Sequence, residues 1–160
     1  MKNKPNFLKN ISWIWIAIWF LILVVAYSII SGRLHEKNNI PQLCTGRICF
    51  TVELARTEDE QHQGLMNRES MPDNHGMLFI FPKSDLQNFR MKNTLIPLDM
   101  VWIDEQFRVV RIMTAQPCIA DPCAVYRPEI WAKYVLEINA GIADKYKIVE
   151  WSMIRFKNIR

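Results

Sequence analysis

The chain has 160 residues, a formal net charge of +4 and a composition in which half of the residues are hydrophobic. Residues 1–40 carry five basic residues and one acidic residue, whereas the remaining 120 carry 15 of each sign. A nucleic-acid-binding protein needs a basic surface that releases counterions from phosphates, so this distribution argues against nucleic acid as a partner. About 120 residues remain for globular structure, which is the usual size of one domain.

Residues 11–31 are predicted to form a transmembrane anchor whose partner is the lipid bilayer. From Ile11 to Ile30 there are 20 consecutive uncharged residues, and a helix of that length rises about 30 Å, the thickness of the hydrocarbon core. The excess of lysines before this run predicts that residues 1–10 are a cytoplasmic tail and that the rest is periplasmic or extracellular. A cleaved signal peptide is the alternative, but the apolar run exceeds the usual 7–15 residues.

Four cysteines form two pairs with the same spacing, Cys44 with Cys49 and Cys118 with Cys123. Outside the cytoplasm such pairs are typical of disulfide bonds, and each would close a short turn. A four-cysteine zinc site is the alternative, although four intervening residues are at the edge of its usual spacing. A redox role favours C-x-x-C, which is absent.

After a polar stalk at residues 32–43, residues 44–160 are predicted to form one β-rich domain. Residues 50–55 alternate apolar and polar side chains, as a half-buried strand does, and Thr57 with Glu60 matches a capping box that begins a helix running to about Asn67. Residues 76–81 predict a core strand ended by Pro82, residues 98–104 and 107–114 a hairpin, residues 134–138 and 149–156 two further strands, and residues 143–147 one helical turn. The fold class is therefore mainly β, a β-sandwich or barrel with one short helix.

Several of these segments resemble domain-of-unknown-function family 192, a family of small bacterial and archaeal proteins. The resemblance rests on the following blocks, in this order: Val52-Glu-Leu-Ala-Arg-Thr57, Gln63-Gly-Leu-Met-Asn-Arg68, residues 76–81, Met91-Lys-Asn-Thr-Leu-Ile-Pro-Leu-Asp-Met100, Pro117-Cys118 and Val135-Leu-Glu137. It implies one compact, mostly β domain, often behind a signal or anchor, and transfers no activity. This chain departs from the family pattern at Arg90, where an aromatic residue is common, and in Ile148-Val-Glu-Trp151, where a Gly-Asp turn is expected.

No standard catalytic or metal motif is present in the sequence. The three histidines, His35, His62 and His75, lie outside any recognisable nucleophile motif, and neither G-x-S-x-G nor H-E-x-x-H occurs. Methionines can bind reduced copper, but they more often fill gaps in a core. We therefore expect no cofactor and no metal.

A polar cluster within the central motif is the candidate ligand-binding site. It comprises Arg68, Lys92, Asn93, Thr94 and Asp99, with Glu53 as a possible neighbour. These side chains could line a pocket for a small polar or anionic ligand. Alternatively, Asn93 and Thr94 close a turn while Asp99 pairs with Arg68 or Lys92.

Two functions are consistent with this cluster. The first is a membrane-anchored binding or accessory domain for a small polar ligand or an envelope partner. The second is an enzyme acting on envelope material, with Lys92 and Asp99 as acid and base.

Overall fold

The computed structural model describes residues 7–37 and 39–159, and the chain divides into two compact units, Met1–Ile40 and Pro41–Arg160. In the first unit a single helix, α1, spans Phe7–Lys37. It contains a segment, Trp15–Arg33, that is long and apolar enough to cross a bilayer. The predicted anchor is therefore helical. Residues 1–6 of the predicted cytoplasmic tail lie outside the described residues, and α1 includes the first six residues of the predicted stalk.

The second unit consists mostly of strands. Its elements, in chain order, are β1 (Gln42–Thr45), β2 (Ile48–Ala55), α2 (Glu58–Gln63), β3 (His75–Asp85), β4 (Phe89–Arg90), β5 (Leu98–Ile103), β6 (Val109–Ala115), β7 (Val125–Tyr126), β8 (Ala132–Asn139), α3 (Ile142–Lys145) and β9 (Ile154–Lys157).

Seven of the strands form one sheet in the order β6-β5-β8-β3-β2-β1-β9, and β4 and β7 pair separately. Neighbouring strands are antiparallel except for β2 and β3. The sheet curls until its two outer strands approach: Arg108 and Met153 form an isolated bridge, and Ile154 N donates to Phe107 O at 2.8 Å. The mainly β prediction is confirmed, and the curled sheet is closer to a half-barrel than to a sandwich.

Each face of the sheet buries its own hydrophobic cluster. We call one the methionine face, because its core contains Met71, Met77, Met91 and Met100 beside Phe79 and Trp102. We call the other the aliphatic face, because it is dominated by residues such as Leu78, Val101, Leu136 and Ile138. Adjacent residues of β5 and β8 alternate between the two, as a strand buried on both sides requires.

Three of the predicted element bounds differ from the observed ones by four residues or more. β3 continues through Pro82 to Asp85, because the ladder to β8 is irregular between Ile80 and Asp85 and a proline there removes no regular hydrogen bond. α2 ends at Gln63, where Gly64 adopts a positive φ of 45°. β9 begins at Ile154, because a turn occupies residues 150–151 of the predicted strand.

Both cysteine pairs are at disulfide distance. The sulfur atoms are 2.07 Å apart in Cys44–Cys49 and 2.14 Å apart in Cys118–Cys123. The first pair joins β1 to β2 close to their connecting turn, where the two residues are register partners. The second closes a loop between β6 and β7. The disulfide interpretation therefore holds, and each sulfur has its partner within its own pair.

Candidate functional site

A cleft of about 820 Å³ lies between α2, the end of β3 and the β4–β7 pair. We call it the basic cleft, because its wall carries Arg90, Lys92, Arg127 and His62 against a single carboxylate, Glu58. Its remaining lining residues are amides and apolar side chains: Gln61, Gln87, Asn88, Asn93, Met66, Phe79, Phe81, Phe89 and Val125.

One wall of the basic cleft is held in place by α2. Thr57 caps this helix: its Oγ1 accepts a hydrogen bond from Glu60 N at 3.3 Å, and Glu60 Oε2 accepts one from Thr57 N at 2.9 Å. This is the predicted capping box, and it lowers the pKa of Glu60 through hydrogen bonds from the backbone of Thr57 and Arg56. Gln61 Nε2 then donates to Ile80 O at 3.0 Å, which ties the helix to β3.

The floor of the cleft is aromatic. Phe89 meets Phe79 and Trp102 edge to face, with ring centroids 4.9 and 6.0 Å apart, and Trp102 Nε1 donates to Gln87 O at 2.8 Å. The ladder pairs Phe89 with Tyr126 and Arg90 with Val125. These contacts fix the backbone that carries Arg90 and, one residue past Tyr126, Arg127.

The central motif enters the cleft through Lys92 and Asn93. The predicted turn is confirmed: Asn93 has a φ of 57°, and Thr94 N donates to Met91 O at 2.9 Å. Asn93 N donates to Cys118 O at 2.8 Å, and Cys118 N donates to Thr94 O at 3.3 Å. The turn is thus bonded to the segment that the second disulfide closes.

Lys92 is paired with a carboxylate from the disulfide loop. Its Nζ lies 2.6 Å from Asp121 Oδ2, and both side chains are about half exposed. The hydrogen bond and the positive charge of Lys92 lower the pKa of Asp121. A carboxylate from outside the lining is therefore already paired with one cation of the cleft.

The other predicted ligand-binding residues lie outside the lining of the cleft. Arg68 forms a two-pronged ion pair with Glu53, with N···O distances of 2.6 and 2.8 Å, and this pair lowers the pKa of Glu53. Thr94 is buried and contributes backbone bonds to the turn. Of the five predicted residues, the structure brings Lys92 and Asn93 into the cleft.

Asp99 is on the opposite face of the sheet from Met100 and is 2% exposed. Its Oδ1 accepts from Thr114 Oγ1 at 2.7 Å, and its Oδ2 accepts from Ala143 N at 3.0 Å. The predicted pairing with Arg68 or Lys92 is wrong, because strand alternation directs Asp99 towards the first turn of α3. Lys92 and Asp99 line different depressions, so the structure does not assemble them as an acid–base pair.

Sequence reasoning missed the remaining polar wall of the cleft. Arg90 was noted only as a departure from the family pattern, and Arg127 carried no signal, because two-residue strands such as β4 and β7 have no readable period. Gln61 and His62 are on the predicted helix, but its orientation on the sheet could not be read from six residues.

A buried carboxyl lies on the methionine face of the sheet. Glu137 is 4% exposed, and its register partners on the two neighbouring strands are Met77 and Met100. Burial alone raises its pKa to about 8. At neutral pH this side chain is therefore mostly the uncharged acid.

Comparison with known proteins places the chain in a family. Residues 42–156 match the model of domain-of-unknown-function family 192, described as "Uncharacterized ACR". A UPF0127 protein of Thermococcus gammatolerans is 30% identical over 105 residues, which are 64% of each chain. A second, from Thermococcus kodakarensis, is 29% identical over 64% of this chain and 62% of its own. The chain thus spans slightly less than two thirds of the length of these relatives.

Two solved structures share the fold. A protein of unknown function from Novosphingobium aromaticivorans has a TM-score of 0.65 and 34% identity, over 72% of this chain and 83% of its own. A putative transcription regulator from Sinorhizobium meliloti has a TM-score of 0.66 and 32% identity, over 74% of this chain and 93% of its own. The match over residues 42–156 covers nearly the whole β unit, and the chain belongs to domain-of-unknown-function family 192.

Proposed function

We propose that this protein is anchored in a membrane by α1 and presents its β domain to the periplasm or cell exterior, where the basic cleft binds a small anionic ligand. The length and apolar character of Trp15–Arg33 support the anchor. Two cysteine pairs at disulfide distance support an oxidising compartment.

The observation that carries the binding role is the composition of the cleft. Its volume of about 820 Å³ is within the range of roughly 300–1,000 Å³ typical of small-molecule sites. Arg90, Lys92 and Arg127 supply positive charge, and three phenylalanines supply an apolar floor. Such a wall matches a ligand with a carboxylate or phosphate group and a less polar body, and the amide side chains can bond hydroxyl groups.

Asp121 supports a carboxylate as the recognised group. Its oxygen lies 2.6 Å from Lys92 Nζ, which is the geometry that a bound carboxylate would adopt. An exposed pair of this kind contributes little to stability, so an incoming anion can displace it at small cost. The ligand carboxylate would then take over the bond to Lys92.

Binding by the detergent-solubilised full chain tests this proposal. Titration calorimetry would use a panel of monocarboxylates, dicarboxylates, sugar acids, inorganic phosphate and the corresponding neutral sugars. We expect an anion to bind, the matching neutral compound not to bind, and Lys92→Gln or Arg127→Gln to weaken affinity by about tenfold, the loss of one charge-assisted hydrogen bond.

Lys83→Gln is the matched control, because it removes a lysine that is 82% exposed and outside the cleft lining, and it should leave affinity unchanged. Asp121→Asn should strengthen anion binding, because it removes the internal competitor. Failure of every anion to bind would overturn the small-ligand role and leave an envelope protein as the partner to test.

A further inference from the structure

A second cavity, of about 420 Å³, lies at one end of the curled sheet and has a different chemistry. Its lining is almost wholly apolar and aromatic, with one cation: Arg56, Ile80, Phe81, Pro82, Phe107, Tyr134, Phe156 and Ile159. We call it the aromatic pocket. We propose that it takes the acyl chain of a single-chain amphiphile from the bilayer, with the anionic head on Arg56; this rests on the proposed anchoring by α1, and not on ligand binding in the basic cleft.

The aromatic walls are held open by their mutual contacts. Phe107 stacks on Tyr134 at 5.6 Å, and Phe156 meets both rings edge to face at 5.1 and 5.0 Å. Each ring contacts the other two, so none of them can fold inward to close the cavity without losing these contacts. Phe107 is still 38% exposed, so the rings present a preformed apolar surface to a ligand.

The β5–β6 turn fixes the backbone at Phe107. Its φ is 61°, the left-handed conformation that often follows a type I turn in a short hairpin. Two hydrogen bonds hold it: Phe107 N donates to Asp104 O at 3.1 Å, and Ile154 N donates to Phe107 O at 2.8 Å. The ring of Phe107 is thereby fixed in the wall of the pocket.

The proposed anchoring by α1 favours the bilayer as the source of the ligand. Only residues 38–41 separate the end of α1 from β1, and each residue extends the chain by at most about 3.5 Å. Because the proposed anchor confines the chain to a membrane, bilayer amphiphiles are the apolar ligands available to the pocket at the highest effective concentration.

The polarity of the lining indicates a chain with one charged end. Arg56 is exposed, so its guanidinium can meet a carboxylate or phosphate in water, while the rings contact methylene groups. The volume is at the lower end of that of small-molecule pockets, roughly 300–1,000 Å³. It suits one alkyl segment, not the two chains of a whole phospholipid.

Photolabelling of the full chain in phosphatidylcholine vesicles tests this inference. The vesicles contain a small fraction of a fatty acid with a diazirine in its chain, and peptide mass spectrometry locates the label after irradiation. We expect label on the segments around Phe107, Tyr134 and Phe156 as well as on α1. Ile159→Trp fills the pocket and should reduce the label on those domain segments by about tenfold, while the label on α1 stays constant.

Ile119→Trp is the matched control, because it makes the same change at an isoleucine that is 76% exposed and outside the pocket. Arg56→Gln should remove the preference for the fatty acid over the alcohol of equal length. Equal melting temperatures would show that each variant folds. Domain label that persists in Ile159→Trp, or label confined to α1, would overturn the inference. Vesicle flotation separately tests the anchor, and anion binding in the basic cleft is measured independently.

Discussion

The two faces of the sheet bury similar numbers of large side chains but tolerate polarity differently. The aliphatic face is filled by branched side chains such as Leu136 and Ile138, and its buried carboxylate, Asp99, has hydrogen-bond partners on both oxygens. The methionine face buries Glu137 in surroundings that disfavour its charge, and the basic cleft opens on the same side, over Phe79. The buried polar group of the aliphatic face is thus part of the packing, held by hydrogen bonds. On the methionine face, burial disfavours the charge of Glu137, and the cleft on that side is open to a ligand. The following predictions test this distinction.

The largest expected effect is the pH dependence from Glu137. Because its folded pKa of about 8 exceeds the unfolded value, the folded state binds more protons between about pH 4.5 and 8, and stability falls as pH rises through this range. Glu137→Gln removes this loss, so its advantage over the wild type should grow to roughly 4 kcal/mol by pH 9. Denaturant unfolding of the detergent-solubilised chain at several pH values measures it.

Glu53→Gln is the control, because the pKa of Glu53 is shifted in the opposite direction to that of Glu137. The pKa of Glu53 is lowered by Arg68, so its contribution is present above the unfolded pKa and is lost as pH falls through the folded value. Its difference from the wild type should therefore be constant from pH 5 to 9. A difference between Glu137→Gln and wild type that is equally flat would contradict the burial argument.

Core substitutions on the two faces of the sheet should have different costs in stability. Leu136 and Met100 are both fully buried, on the aliphatic and methionine faces respectively. Leu136→Ala leaves a cavity among branched side chains and should cost about 3 kcal/mol, whereas Met100→Leu conserves volume and should cost less than about 1.5 kcal/mol. Denaturation midpoints measure both. A larger loss for Met100→Leu would show a specific role for its thioether.

Substitutions of Asp99 and Lys92 should show that stability and anion binding depend on different residues. Asp99→Ala leaves Thr114 Oγ1 and Ala143 N without their shared acceptor and should cost about 2 kcal/mol, while anion binding in the basic cleft stays unchanged. Lys92→Gln should weaken binding and leave the melting temperature unchanged. Loss of anion binding in a folded Asp99→Ala variant would restore Asp99 as a site residue.

The smallest expected change in stability comes from loss of the second disulfide. Cys118→Ser with Cys123→Ser opens a loop of only six residues, so it should cost at most about 2 kcal/mol. Because the loop carries Asp121, its release should also raise anion affinity at Lys92, as Asp121→Asn does. Calorimetry and denaturation of the same sample give both values, and unchanged affinity would mean that other contacts hold the loop.

Much of the fold could be predicted from local patterns. The β5–β6 hairpin, the core strand β3, the strand β8 and the capped helix α2 each have a period or a cap that is visible in a few residues. The parallel pairing of β2 with β3 and the approach of β6 to β9 could not be predicted, because they join residues far apart in the sequence.

The candidate site could be predicted only in part. Lys92 and Asn93 interrupt apolar sequence, which marked them as exposed or hydrogen-bonded, and both line the basic cleft. Asp99 carries the same signal, but a single step along a strand reverses the face to which a side chain points. Arg90 and Arg127 line the same cleft because β4 pairs with β7. Two-residue strands show no period in the sequence, so this pairing could not be predicted.

The pairing of β1 with β9 has a consequence for the order of folding. β1 is the first strand of the domain to be synthesised, and one of its two edges stays open until Lys157 has been made and, if the domain is exported, has crossed the membrane. More than 100 further residues are therefore synthesised while this edge of β1 is unpaired. Until then the backbone N–H and C=O groups of Leu43 and its neighbours can pair with other chains. The interval between the first and last strands is when this domain is most open to pairing with other chains.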